Sequence, residues 1–212
     1  MPHQNKKRAD QSHKKRRVHK FETQTHQDCA KHAVNNLLQS SVLTSENLKE
    51  VSRKDTLWSS IDVSNALERF SPKHCMKPIY LFCKDNPDHH YIFPIVQDFL
   101  SEPNPHSLPF LRLMVNVGDA HWFGILFYVN GQIEVLDSLN NGPVQVSMEY
   151  IKEMFRTQTY RRWRLPLTAY FLGPYHEWLV FWSHLRKLIT DSVWKREHPP
   201  PKKKWTGGNP YL

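Results

Sequence analysis

Long apolar runs, glycine and cysteine are all scarce in this chain, and each scarcity removes a class of protein. No uninterrupted apolar stretch approaches the roughly 20 residues that a membrane-spanning helix requires. The amino terminus is charged, with no apolar stretch behind it, so neither a signal peptide nor a membrane span is expected. Seven glycines stand against fifteen prolines, and no fixed-period self-similarity is visible, which argues against collagen-like, propeller and solenoid architectures. Three cysteines, an odd number, at positions 29, 75 and 83 do not make a disulfide framework, which wants a denser and even set. Each is read as a thiol in a reducing compartment, the nucleus and/or the cytoplasm. Cys75 and Cys83 have no partner pair at metal-ligand spacing and read as structural thiols. Thirteen histidines raise the question of a metal, yet there is no HExxH and no Cys/His cluster. No metal and no other cofactor is expected, and His26 and His89-His90 read as solvated loop residues.

Aromatic and basic residues are plentiful instead. Seven Trp, eight Tyr and eleven Phe in 212 residues provide the core of one domain, the number expected at this length. The formal net charge of +9 is unevenly spread: eight basic residues face one acidic in residues 1–20, and five face one in residues 195–212, which leaves residues 21–194 at −2. A nucleic-acid-reading face on the folded domain is therefore not expected; the basicity belongs to two disordered tails, 1–20 and 195–212. The clusters Lys6-Lys7-Arg8 and Lys14-Lys15-Arg16-Arg17 read as a nuclear-import address or a phosphate-binding arm, which makes an import receptor or nucleic acid the expected partner of the tails. The bland alternative is a solvated solubility tail.

Between the tails, local patterns assign the elements. From Asp28, apolar positions 30, 33, 34, 37 and 38 share one helical face, with Asp28 as N-cap. Further helices are expected from Thr44-Ser45 and from near Ser60, the latter ending at Ser71-Pro72. Pro78 to Phe82 reads as a short buried strand. Leu111–Val117, Trp122–Val129 and Gln132–Leu136 read as strands, the last two joined by Asn130-Gly131, a strong hairpin signal. Asn141-Gly142-Pro143 is expected to end the sheet, followed by a helix from Ser147 to Thr157 and a strand from Leu165 to Phe171. Beyond Gly173-Pro174, residues Trp178, Phe181, Trp182, Leu185, Leu188 and Ile189 recur at helical spacing, an amphipathic helix over 173–194. Helices first and antiparallel sheet after is an α+β order, with N-terminal helices packed on a central sheet.

A cysteine in the first turn of a helix sits at the positive end of the helix dipole, which stabilises a thiolate, so Cys29 is the nucleophile candidate. Its bland alternative is a small buried hydrophobe. The side-chain amide of Gln24, five residues upstream, is a donor for an oxyanion. His121 opens one strand and Asp137 closes its neighbour, a base and a carboxylate to orient it. His32, one turn beyond Cys29, is a rival base by reach. One geometric conflict stands out. With Asn130-Gly131 as a strict two-residue turn, His121 pairs with Asn140 and Asp137 with Gly124, an odd offset of three residues that puts the two side chains on opposite faces. A bulge, or departure of Asp137 from the strand, is required to bring them together.

The run Gln24-x4-Cys29-x2-His32-x2-Asn35-Asn36-Leu37-Leu38-Gln39, followed by Ser60-Ile61-x-Val63-Ser64-Asn65-Ala66-Leu67 and then by His121-Trp122-Phe123 with Leu136-Asp137-Ser138, resembles the Josephin family of deubiquitinating cysteine proteases in the papain-like superfamily. The resemblance spans residues 21–172 in three ordered blocks, and the length is that of the small Josephin-only members. It implies a papain-like fold and a thiol-dependent deubiquitinase that hydrolyses (iso)peptide bonds at the C-terminus of ubiquitin or a ubiquitin-like protein. Cys29 would be the nucleophile, His121 the base, Asp137 its orienter and Gln24 part of the oxyanion hole, with His32 structural. Twenty residues separate Gln39 from Ser60, where the family carries a longer helical hairpin that helps to embrace ubiquitin, and the basic head and Trp-rich final helix have no counterpart there. Two alternatives follow: a papain-like protease maturing a viral or other polyprotein, and an inactive binding module tethered to nucleic acid by its tails.

Overall fold

The computed structural model describes residues 20–24, 28–52, 57–79, 96 and 110–197, with side chains for all of these except 110 and 188–197. Residues 1–19 and 198–212 of the two expected tails, together with His26, Cys83 and His89-His90, lie outside the described residues.

Three helices come first: α1 (Cys29–Leu38), α2 (Ser45–Ser52) and α3 (Ser60–Phe70). A capping box starts α3, in which Ser59 and Asp62 each satisfy the other's backbone N–H. Strands β1 (His74–Ile79), β2 (Phe110–Val117), β3 (His121–Tyr128), β4 (Ile133–Leu136) and β5 (Val144–Val146) follow, then α4 (Met148–Thr157). A two-stranded hairpin of β6 (Thr159–Tyr160) and β7 (Trp163–Arg164), the strand β8 (Leu167–Pro174) and α5 (Tyr175–Glu197) complete the described chain. Six strands form one antiparallel sheet in the order β1-β8-β2-β3-β4-β5. The class is α+β, and among the described residues no helix is long and apolar enough to cross a membrane.

Several expected boundaries move. The strand expected over 78–82 begins at His74, and residues 80–82 lie outside the described set. Pro78 is tolerated inside β1 because, among the described residues, β1 is an edge strand paired with β8 alone, where a missing N–H need not break a ladder. Asn141-Gly142-Pro143 does not end the sheet, since β5 adds to the free edge of β4; three residues, two of them exposed, carry no alternation for a sequence reading to detect. The last strand runs through Gly173-Pro174 and turns directly into α5, a helix that continues three residues beyond 194. Its buried stripe is narrower than the spacing suggested: Phe181 and Leu185 are buried, Trp178 partly so, whereas Trp182 is exposed.

Helices cover the sheet on both faces, not one. Even-numbered side chains of β3, Trp122, Leu126 and Tyr128, join Met114, Leu136 and Leu172 against α1, α2 and α3. Odd-numbered ones, Phe123, Ile125 and Phe127, join Leu113, Val115, Ile133 and Phe171 against Ile151, Met154 and Phe155 of α4 and Phe181 of α5. This explains why β3 reads as continuous hydrophobicity, since every one of its residues is buried.

Two local features set the geometry of the centre. The β3–β4 turn has three residues, 129–131: Tyr128 N–H donates to Gln132 O and Gly131 N–H to Tyr128 O, both at 2.9 Å. Gly131 takes φ 81°, the left-handed conformation that closes a three-residue hairpin through a bulge. The strict two-residue turn is therefore overturned: Leu136, not Asp137, faces Gly124. A shift of one residue reverses the faces, and here it puts His121 and Asp137 on the same one. The second feature is Gly124 itself. Helix α1 lies over β3 on the small residues Ala30 and Ala33, and Leu37 enters the space above Gly124, where a Cβ would lie 2.6 Å from Leu37 Cγ.

Gly124→Ala should therefore push α1 off the sheet and cost about 1–3 kcal/mol of stability, the range for overpacking a filled core. Urea unfolding at neutral pH measures it; a variant as stable as the unaltered chain would show that α1 is not seated through this gap.

Candidate active site

The segment before α1 is anchored by side chains of the helix. Asn36 Nδ2 donates to Glu22 O (3.1 Å) and Asn36 Oδ1 accepts from Glu22 N–H (2.6 Å). Gln39 does the same for Lys20, at 3.1 Å each way. Two side-chain amides thus imitate a neighbouring strand. The Glu22 carboxylate then accepts from Asn35 Nδ2 and His32 Nδ1, each at 3.1 Å, and Asn35 Oδ1 accepts from Val42 and Leu43 N–H. The His32, Asn35, Asn36 and Gln39 portion of the motif is a buried frame holding the chain on both sides of α1.

That frame leads Gln24 to the sheet. Gln24 N–H donates to Ser138 O (2.8 Å), and Ser138 Oγ donates to Gln24 Oε1 (3.1 Å). With its oxygen engaged, the Gln24 amide presents its nitrogen as the donor end. Ser138 directly follows Asp137, so oxyanion candidate and carboxylate share one support.

Cys29 is the first residue of α1 and is 8% exposed. Asp28 occupies the N-cap position without a capping hydrogen bond; its carboxylate instead accepts from Ser45 Oγ (2.5 Å) and Lys31 Nζ (3.4 Å). The first turn is thus left without a side-chain cap at the end of the helix dipole where negative charge is stabilised. His121 opens β3 immediately after a tight loop in which Gly118 (φ 53°) and Asp119 (φ 59°) are both left-handed, with Asp119 N–H donating to Asn116 Oδ1 (2.7 Å). A Cβ on Gly118 would also meet Leu165 Cβ at 2.8 Å, so glycine is required there twice over.

Asp137, just past β4, is fully buried. Its Oδ1 accepts from His121 Nε2–H and from Leu139 N–H, both at 2.9 Å. Its Oδ2 accepts from Tyr160 OH (2.7 Å) and Arg161 Nε (3.0 Å). Cys29 also acts on the His121 ring, raising its pKa; with Nε2 engaged by Asp137, Nδ1 is the ring nitrogen left for the thiol. Phe123 and Tyr160 lie parallel to the ring at 6.4 Å, and Trp163 meets it edge-on at 5.1 Å.

Burial alone would lower the proton affinity of His121. The hydrogen bonds to Asp137 and Cys29 and the charges of both outweigh it, and the pKa is pushed up to about 9. For Asp137, burial acts to raise the carboxyl pKa, and the donors His121, Leu139 N–H and Tyr160 OH hold it below the ordinary range. Cysteine, imidazole and carboxylate in series can take a proton from sulfur, hold it as imidazolium and return it to a leaving group.

Of the residues expected at the site, His121 and Asp137 are hydrogen-bonded, Cys29 acts on the same ring, and Gln24 is tied to Ser138, the residue after Asp137. His32 is engaged by Glu22, and burial and Lys31 lower its pKa, which leaves it neutral at pH 7. Cys75 is a half-buried free thiol whose pKa burial raises. Among the described residues no cluster of three or more His, Cys, Asp or Glu could hold a metal ion. Sequence reasoning missed Tyr160, Arg161 and Trp163, and the support of Gln24 by Ser138. The aromatic and cationic run Tyr160-Arg161-Arg162-Trp163-Arg164 was the available signal, but two-residue strands carry no periodicity. No protein-family model matches this chain, and no curated protein sequence matches it.

Because the His121 pKa lies above the ordinary value of 6.5, its contribution to stability is complete below pH 6.5 and is lost as pH rises through about 9. The stability gap between the unaltered chain and His121→Gln should be widest in mildly acidic solution and narrow toward alkaline pH. Unfolding free energies across that window test this; a gap that widens with pH would contradict the His121–Asp137 ion pair.

Proposed function

We propose that this chain is a cysteine-dependent hydrolase of the Josephin type, cleaving (iso)peptide bonds at the C-terminus of ubiquitin or a ubiquitin-like protein. The observation that carries the reading is the buried His121–Asp137 hydrogen bond, with Cys29 raising the proton affinity of the same ring from the start of a helix whose first turn has no side-chain cap. The Josephin resemblance of the blocks around those residues supplies the substrate class.

In this mechanism the Cys29 proton rests on the His121 ring at neutral pH, and Cys29 Sγ attacks the scissile carbonyl carbon. The oxyanion takes hydrogen bonds from the Gln24 side-chain nitrogen and from N–H groups at the start of α1. As the intermediate collapses, the C–N bond breaks and His121 returns the proton to the departing amine, leaving a thioester on Cys29. His121 then takes a proton from water, whose oxygen attacks the thioester; the C–S bond breaks, the acid departs and the thiol is restored. Asp137 stays ionised throughout, fixing the ring through Nε2 and balancing the imidazolium.

One observation favours a different substrate, a segment of a larger polypeptide cut by the same machinery. Of residues 40–59, those described contain a single eight-residue helix, α2, and bury Leu43, Leu48 and Trp58. Trp122 Nε1 donates to Trp58 O at 2.9 Å, tying that segment to β3. Its described buried residues are drawn onto the core, whereas an arm that embraces ubiquitin would project from it.

A ubiquitin C-terminal electrophile should label the unaltered chain and Cys75→Ala but not Cys29→Ala. Labelling that survives Cys29→Ala, or is lost in Cys75→Ala, would overturn the nucleophile assignment. No labelling combined with Cys29-dependent cleavage of another polypeptide would transfer the chemistry to the second reading.

Turnover should fall as pH rises through about 9, because the neutral ring can no longer donate to the leaving amine. Asp137→Ala should lower turnover roughly 100-fold or more, whereas Asp137→Asn, which keeps an acceptor for the ring N–H, should be milder. Equal rates for the three forms would remove Asp137 from the site.

A further inference from the structure

The β6–β7 hairpin carries chemistry that the reaction steps above do not use. Its turn residue Arg161 is held at φ 55°, in the left-handed region where a side chain is strained and glycine is favoured. The arginine is engaged at that position: Nε donates to Asp137 Oδ2 (3.0 Å) and Nη2 to Asn140 Oδ1 (2.5 Å). Tyr160 OH donates to the same Oδ2 (2.7 Å), while its ring stacks on Phe123 at 4.0 Å. Tyr160 stays protonated, and so donates to the carboxylate, because burial and the Asp137 charge raise its pKa. The two oxygens of Asp137 are thereby divided, Oδ1 for His121 and Leu139 N–H, Oδ2 for the hairpin.

The division has an electrostatic consequence. A buried carboxylate with no other cation nearby would stabilise the imidazolium strongly, and a ring that grips its proton is a poor acid for the leaving group. A guanidinium on the far oxygen draws part of that charge away. The titratable or charged groups that face the ring are Cys29 from α1 and Asp137 after β4, with Tyr160 and Arg161 of the hairpin acting through Asp137. Phe123 and Trp163 contribute uncharged surface.

We propose that Arg161 is a positioning residue that acts through Asp137, sharing the carboxylate's charge and so making His121 a better proton donor than the Asp137–His121 pair alone would allow. The inference rests on the thiol-hydrolase reading of the site. When Arg161 is replaced, Tyr160 OH and Leu139 N–H still hold Asp137, so the substitution isolates the charge.

The test is titration of the His121 ring by nitrogen NMR in the full chain, with thermal midpoints and pH–rate profiles, for Arg161→Lys, Arg161→Gln, Arg161→Gly and Tyr160→Phe. Arg161→Gln and Arg161→Gly should each raise the His121 midpoint by about half a unit or more, as loss of a nearby cation requires, and the alkaline limb of hydrolysis should move with it. Arg161→Lys should shift it less. Arg161→Gly should keep or raise the thermal midpoint, since it relieves the left-handed backbone. An unchanged or lowered His121 midpoint in both Arg161→Gln and Arg161→Gly would overturn the proposal and leave Arg161 a structural residue. The titration reads the ring whether or not the chain hydrolyses anything. An upward shift in an inactive chain supports the electrostatic coupling and defeats the hydrolase reading alone, whereas an active chain whose His121 ignores Arg161 defeats this inference alone.

Discussion

Everything at this centre depends on how closely α1 can approach β3. The nucleophile candidate begins a helix on one face of the sheet, whereas its partner opens a strand and shares the opposite face with Asp137. A thiol and a ring so placed meet only where the helix start overhangs the strand start. The gap at Gly124, filled by Leu37, lets the helix lie low enough. Arg112 secures the far end: its Nε donates to Leu37 O (3.2 Å) and its Nη1 pairs with Glu177 of α5 at 2.6 Å. Both partners of that ion pair are largely buried, so removing either alone would leave a charge without compensation. One cation thereby ties the first helix, the sheet and the last helix together.

The polar groups near the centre divide into a frame and a reactive series, and burial explains the division. Glu22, Asn35, Asn36, Gln39 and Nδ1 of His32 bond to one another and to the backbone of the segment ahead of α1, while His32 Nε2 is buried without a partner among the described residues. His32 therefore serves structure although it lies only one helical turn from Cys29. His121 has a different set of neighbours. Its ring is enclosed by Phe123, Tyr160 and Trp163, which exclude water and strengthen every charge interaction within. The same enclosure would neutralise a lone imidazolium, so the ion pair with Asp137 is what keeps the proton available.

Asp137 is the junction of three separate parts of the chain. It accepts from β3 through His121, from its own loop through Leu139 N–H, and from the β6–β7 hairpin through Tyr160 and Arg161, while the next residue, Ser138, holds Gln24. A carboxylate with four donors is expensive to move, and both residues that act on the substrate carbonyl in the proposed reaction connect to it, Cys29 through His121 and Gln24 through the neighbouring Ser138. Pre-organisation of this kind is what acyl transfer by a thiol needs, since little can be gained by rearranging dipoles once the substrate is bound.

By itself the sequence determined the element types, the thiol at a helix start and the chemically apt residues, because period 3.6, period 2 and turn residues are local properties of the chain. It also exposed its own conflict, since a two-residue turn could not bring His121 and Asp137 together. Only the tertiary structure decided that register, through the left-handed Gly131 that makes the turn three residues long. The short strands β5, β6 and β7 were invisible for a related reason: two or three residues cannot display a period, and their pairing depends on partners elsewhere in the sheet. Helices on both faces left only a weak trace, the unbroken hydrophobicity of β3. The contacts of Arg161 with Asp137 and of Ser138 with Gln24 join residues 24 and 114 positions apart in the chain. Such contacts have no local signature, because their energy exists only once the packed core has excluded water and brought the two segments together.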